Sequence, residues 1–169
     1  MAPMADEAAF NDFVEARKPA LTRAAFLLTR DHQLAEDLVQ TALLKAARAW
    51  DRIEGEPEPY VRRILYTENI SRWRRRRHLL ETYPPGYDAP AAAGPDPDVH
   101  VSLERALGRL TVRQRTVLVL RYYEDLTEAE TARLLGIGVG TVKSIHRQAI
   151  GRLRILSPDL GELIGADHD

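Results

Sequence analysis

Thr141, Lys143, Ser144 and Arg147 stand close together near the C-terminus of this 169-residue chain. Two hydroxyls, an ammonium and a guanidinium at that spacing offer hydrogen bonds and positive charge. They fall within Leu126–Arg154, LTEAETARLLGIGVGTVKSIHRQAIGRLR, where Val142, Ile145, Ala149 and Leu153 recur at intervals of three and four. That period builds a helix with one buried stripe and places Ser144, Arg147, Gly151 and Arg154 on the opposite face, flanked by Thr141 and Lys143. An arginine on such a face pairs bidentately with a guanine edge, and lysine or a hydroxyl reaches bases and phosphates. The chemistry is readout of duplex DNA rather than bond making.

A reading helix needs a second helix to hold it. Thr127 with Glu130 three residues on forms a capping box, which predicts a first helix over about Glu128–Leu135. Ala132 is small enough for a close crossing, and Gly136 takes the left-handed conformation that ends the first helix. Val142 and Ile145 then face the crossing point. Gly138 occupies the second helix's cap position, where serine or threonine holds more firmly. Upstream, Val99–Leu110 and Val112–Tyr122 predict two further helices. Val101, Leu103, Leu107 and Leu110, then Val117, Leu118, Leu120 and Tyr122, pack under the motif to give a four-helix unit. His146, beside the buried stripe, reads as a partly buried histidine rather than a ligand. An ordinary helical hairpin with a solvated basic face is the plain alternative, against which the combined spacing and capping box weigh.

A second group of residues has nucleic-acid chemistry. Tyr60 to about His78 predicts a helix with Val61, Ile64, Leu65, Ile70 and Trp73 apolar. It carries Arg62, Arg63, Arg72 and the run Arg74, Arg75, Arg76 and Arg77 against the single acid Glu68. Tyr66 and Trp73 add stacking surface and Asn69 an amide, the mixture that binds single strands. A bare charge run is as readily a solvated helix end; the helix-turn-helix in the same chain favours nucleic acid. The best catalytic constellation is His32, Glu36 and Asp37 on one helix, a spacing common on solvated helices, so the chain is read as no enzyme.

Composition narrows the classes further. The net charge is −1, from 24 basic and 25 acidic residues, yet the charges are segregated. Tyr83–Asp98 and Ser157–Asp169 carry only acids. Lysine occurs only at Lys18, Lys45 and Lys143, and with the abundant alanine this suggests a GC-rich genome. There is no cysteine, which excludes disulfides, thiolate zinc and thiol catalysis, and the five histidines are scattered. No cofactor or metal is expected. No apolar run reaches membrane-span length, and MAPMADEAAF lacks a signal peptide's basic start, so no membrane insertion and a cytoplasmic location are expected.

The remaining segments complete an all-α chain. Phe10–Leu28 predicts one or two core helices, with Pro19 marking a kink or restart. Asp31 caps a helix over Gln33–Trp50, whose Val39, Leu43, Ala46 and Trp50 form an apolar stripe beside Leu34, Leu38 and Ala42. Its other face, Asp37, Gln40, Thr41, Leu44 and Arg48, is solvent surface or a docking face, and the residues alone favour solvent. Glu54–Pro59, EGEPEP, reads as a turn. Tyr83–Asp98, with five prolines and two glycines, reads as an extended linker. At ~3.1 Å per residue it reaches roughly 50 Å. Two small helical domains, 1–82 and 99–156, thus flank a linker over 83–98, with an acidic tail over 157–169.

In this order the chain resembles the extracytoplasmic-function sigma factors of the sigma-70 family over nearly its whole length. LAEDLVQTALLKAARAW is similar to the family's region 2 helix, and YVRRILYTENISRWRRRRH to the helix that meets the −10 element. LTVRQRTVLVLRYYEDLTEAETARLLGIGVGTVKS is similar to region 4. The resemblance implies core RNA polymerase and promoter DNA as partners, with an anti-sigma protein as a further candidate. It implies that Asp37, Gln40, Thr41, Leu44 and Arg48 dock on the β′ clamp helices, reversing the preference for solvent. It also implies that region 4 contacts the β flap while Thr141, Lys143, Ser144 and Arg147 read the −35 element. Arg62, Arg63, Thr67, Asn69, Trp73 and Arg74–Arg77 would serve the −10 element. The competing function is a stand-alone helix-turn-helix regulator, whose N-terminal domain would need a ligand pocket or phosphoacceptor in place of a basic aromatic helix.

Overall fold

A computed structural model describes residues 6–79 and 102–159, with side chains for 6–76 and 104–159. The expected linker 83–98, Val99, Val101, the Leu103 and Arg77 side chains, the tail from 160 onward and the first five residues lie outside the described residues. All described elements are helical, as expected, and they divide between two compact units, Met1–Arg75 and Arg76–Asp169.

In the first unit α1 spans Glu7–Thr29, α2 His32–Ala49 and α3 Pro57–Leu79, with a short 3-10 turn at Trp50–Arg52. The Asp6 carboxylate caps α1 by accepting from the Ala9 N–H at 3.0 Å. The helix then runs through Pro19 as one element, so the restart among the expected alternatives does not occur. Pro19 is exposed, so solvent can reach the carbonyl it leaves without a donor. Arg30, left-handed at φ 59°, ends α1, and Asp31 caps α2 by accepting from the Leu34 N–H at 2.9 Å. These adjacent stops turn the chain back on itself, so Leu21, Ala24, Ala25 and Leu28 bury beside Ala35, Leu38, Val39, Ala42, Leu43 and Ala46. The alanines let the two helices approach closely, and each buried leucine is worth about 2–5 kcal/mol against alanine. Trp50 is half-buried, its ring 5.1 Å from Phe10 and 5.4 Å from Phe13.

Two sequence expectations about α3 are corrected. The turn ends at Glu56 rather than Pro59, because Pro57 and Pro59 fall in the first helical turn, where the missing N–H groups have no intrahelical partner in any case. Tyr66 is a core residue with no exposure, alongside Val61 and Leu65, and offers no stacking surface.

In the second unit α4 spans Ser102–Gly108, α5 Val112–Leu118, α6 Glu128–Leu135 and α7 Val139–Leu156. The helix expected over Val112–Tyr122 ends instead in a π-turn, Val119–Tyr123. Both α5 and α6 open with complete capping boxes, Thr111 with Gln114 and Thr127 with Glu130. Gly136 adopts φ 67° and stops α6, its N–H directed at the Ala132 and Arg133 carbonyls. Val117, Ala132 and Val142 form the buried centre, packed by Leu135, Ile137 and Ile145. The crossing point is therefore the expected one, with Val117 of α5 as its third wall.

Candidate nucleic-acid and partner surfaces

On α7 the sequence period becomes a division between inside and outside. Val142, Ala149 and Leu153 have no exposure and Ile150 is nearly buried, whereas Thr141, Lys143, Ser144, Arg147, Gly151 and Arg154 are all exposed. Gly138 caps the helix in extended geometry without a side-chain hydrogen bond. The Lys143 Nζ lies 3.8 Å from the Glu128 carboxylate, a loose pair easily exchanged for a phosphate. His146 is half-buried, as expected. Its Nε2 is 2.8 Å from the Tyr122 hydroxyl, and the rings stack at 5.8 Å. This contact joins the π-turn to α7 one residue before Arg147.

On α3 the basic run separates into two sets. Arg63, Thr67 and Arg74, at spacings of four and seven, share one side of the helix, with Arg63 and Arg74 exposed and Thr67 partly so. The Thr67 hydroxyl donates to the Arg63 carbonyl at 2.7 Å, which leaves its oxygen lone pairs facing outward partners. Trp73 is half-buried and Arg76 exposed. Arg62 instead pairs with Glu58 at 3.1 Å, which also binds Arg17 of α1 at 3.0 Å. Asn69 is 9% exposed with its Nδ2 enclosed and without a hydrogen-bond partner, so it does not stand on that surface with the others.

The second set surrounds Glu68, which is 7% exposed. Its carboxylate accepts from Lys45 Nζ of α2 at 2.5 Å and from Arg75 Nη2 at 2.8 Å, and lies 3.7 Å from Arg72 Nε. Burial pushes this carboxyl upward, but hydrogen bonds and charge from Lys45 and Arg75 outweigh it and hold Glu68 below the ordinary carboxylate range. Arg75 is thus partly committed within the unit. Sequence reasoning missed this cluster, although Glu68, Arg72 and Arg75 continue the Val61, Leu65 stripe at spacings of three and four.

On α2, Asp37, Gln40, Leu44 and Arg48 are exposed and Thr41 half-buried, so the polar strip is a continuous ridge. Leu44 is 61% exposed at its middle. The Thr41 hydroxyl donates to the Asp37 carbonyl at 2.9 Å. Arg72 of α3 reaches the same place, its Nη2 donating to Thr41 Oγ1 at 2.5 Å and to the Asp37 carbonyl at 3.1 Å. His32 is occupied elsewhere, stacked on Phe26 at 4.3 Å. Among the described residues no helix is long and apolar enough to cross a membrane.

Comparison with known proteins gives the family. Residues 13–79 match the model of sigma-70 region 2, and residues 106–154 that of sigma-70, region 4. The RNA polymerase sigma-E factor of Streptomyces avermitilis is 36% identical over 156 residues, covering 86% of this chain and 83% of the relative. The ECF RNA polymerase sigma factor SigM of Mycobacterium tuberculosis is 32% identical over 154 residues, covering 88% and 76%. The sigma factor RpoE of Bartonella quintana, solved in complex with the anti-sigma factor NepR, is similar in structure with a TM-score of 0.67 at 27% identity. That likeness covers 88% of this chain and 96% of that one. With regions 2 and 4 both present and relatives of this identity matched over most of their length, the chain belongs to the sigma-70 family, among its extracytoplasmic-function (ECF) RNA polymerase sigma factors.

Proposed function

We propose that this sigma factor docks on core RNA polymerase through the α2 ridge Asp37, Gln40, Thr41, Leu44 and Arg48, with the β′ clamp helices as its counterpart. Region 4 meets the β flap. The α7 face of Thr141, Lys143, Ser144 and Arg147 reads the −35 element, and the outward residues of α3, Arg63, Thr67 and Arg74 on one side with Trp73 and Arg76 around the helix from them, extended by Arg77, serve the −10 element. Arg62 and Arg75 contribute charge from within their ion pairs. In this reading 1–82 and 99–156 are the working domains, 83–98 connects them, and 157–169 is a tail. The chain acts in the cytoplasm and supplies no bond-making chemistry, which belongs to polymerase. An anti-sigma protein, such as the one bound to the Bartonella relative, is a third partner.

The observation that carries the reading is the α7 helix itself, whose buried stripe is closed against α5 and α6 while its four candidate readers are all exposed. For the docking ridge the test is Gln40→Ala with Leu44→Asp. Both positions are exposed, so circular dichroism and melting should match the unmodified chain. Affinity for core polymerase should fall by about tenfold or more, as for a truncated interface anchor. Unchanged affinity would remove the docking assignment, and a chain that never binds polymerase would favour the stand-alone regulator.

A further inference from the structure

Arg72 stands one residue before the arginine run, yet its guanidinium turns back onto α2. Nη2 has two hydrogens, and two acceptors meet it, Thr41 Oγ1 at 2.5 Å and the Asp37 carbonyl at 3.1 Å. Nε faces Glu68 at 3.7 Å, and the side chain is only 24% exposed. Arg74, two residues on, is exposed on the other side of the helix. A phosphate contact needs donors directed outward, and Arg72 has turned Nη2 and Nε inward. Thr41 and Asp37 stand on the α2 ridge, while Arg63, Thr67 and Arg74 share α3 with Arg72. One side chain therefore spans from the ridge to the helix that carries the outward cations. Lys45 and Glu68 make a parallel link one turn along α2.

We infer that Arg72 is a positioning residue that couples the α2 docking ridge to the nucleic-acid face of α3, and is not a phosphate contact. This rests on the docking and −10 assignments proposed above. A partner group that bonds to Thr41 or to the Asp37 carbonyl shares its acceptor with Arg72, so occupation of the ridge is felt at α3 through one hydrogen-bonded group. Without Arg72 this path between the two surfaces is lost, and among the described residues only the Lys45–Glu68 link joins the helices there.

The test uses full-length chain saturated with core polymerase and a fluorescent single-stranded DNA bearing the non-template strand of a promoter selected on the unmodified holoenzyme. Affinity is measured across a salt series. Arg74→Ala, a phosphate contact, should make the log–log salt slope shallower by about 0.7 unit, the value for one contact to a single strand. Arg72→Ala should weaken DNA binding by about tenfold with the slope unchanged, because position is lost and no counterion-releasing contact is. Thr41→Val, close in shape and free of the hydroxyl, should weaken it in the same direction, and adding it to Arg72→Ala should cost nothing more. Arg72→Lys should recover part of the loss. Saturating polymerase separates this effect from docking affinity, and Thr41→Val keeps the test sound should Arg72→Ala melt early. A slope change of about 0.7 unit with Arg72→Ala, additive losses, or lowered melting with unchanged DNA affinity would each overturn the coupling. Failure of the unmodified chain to bind polymerase would instead overturn the reading beneath it.

Discussion

Arg147 and Glu68 mark two ways in which a charged residue is used in this chain. Arg147 stands exposed across the helix from Val142, Ala149 and Leu153, so the buried stripe sets which way its backbone position faces. Arg147→Ala should cost about 1–3 kcal/mol on the preferred −35 sequence and relax selectivity there. Holoenzyme affinity for two promoters differing only in that element measures this, and an equal loss on both would show Arg147 to be a phosphate contact. Glu68 is enclosed and ion-paired, with its carboxyl held below the ordinary range. The ionised form is therefore favoured by folding. Its contribution is present in full above the unfolded value of about 4.5 and is lost as pH falls through the lower folded value. Glu68→Gln should lower stability by about 1–3 kcal/mol at neutral pH, less than for a fully buried pair because Lys45 and Arg75 are half in solvent. Denaturant melts of both chains should show that gap steady down to about pH 5 and closing below it. Such roles were only half legible in the residues. The exposure of Arg147 follows from the period of α7, which is apolar throughout its stripe. On α3 the core-facing stripe passes from Val61 and Leu65 to Glu68, Asn69 and Arg72, and hydrophobic periodicity cannot follow a stripe that turns polar. Tyr66 and Asn69 read as surface chemistry for the same reason.

At the scale of elements, boundaries were legible wherever a local signal decides them. The Thr127 and Glu130 box and Gly136 delimit α6 at the residues expected, since both act within one turn of the helix end. The start of α3 was misplaced because proline breaks helix interiors but suits a first turn, and the choice between them depends on what precedes. The π-turn after α5 depends on tertiary fit, with Tyr122 meeting His146, and no local rule announces it. The two glycines between α6 and α7 make opposite predictions. Gly136 sits at φ 67°, where a side chain is strained, so Gly136→Ala should destabilise the second unit by about 1 kcal/mol. Gly138 caps α7 at φ −72° with no side-chain bond, and a Cβ there meets only Thr141 Oγ1 at 3.8 Å, an ordinary contact. Gly138→Ser should stabilise by a few tenths of a kcal/mol, read as a small rise in melting temperature. Opposite signs at positions two residues apart would confirm that backbone conformation, rather than space, governs this turn.

For the whole molecule, the net charge of −1 conceals two helices, α3 and α7, on which cations outnumber acids. Neither surface is large. The α7 face offers Lys143, Arg147 and Arg154, and on α3 the exposed Arg63, Arg74 and Arg76 stand beside cations already paired within the unit. Counterion release scales with the number of phosphates met, so each unit alone gains only a few contacts. Holding two such units on one DNA gains from both only if something sets their separation, because ordering them costs free energy that a small surface does not repay. In the docking proposed above, polymerase is the body that binds both. The free chain should therefore bind promoter duplex no more tightly than ~10⁻⁶ M at physiological salt, within the non-specific range, and should discriminate little between sequences. Adding core polymerase should bring the affinity into the range of specific complexes, ~10⁻⁸ M or tighter, with discrimination restored. Fluorescence anisotropy on matched and scrambled −35 duplexes, with and without polymerase, gives all four numbers. Tight and selective binding by the free chain would mean that α7 suffices as a reader without help, and the stand-alone regulator would then be the better account of how this chain works.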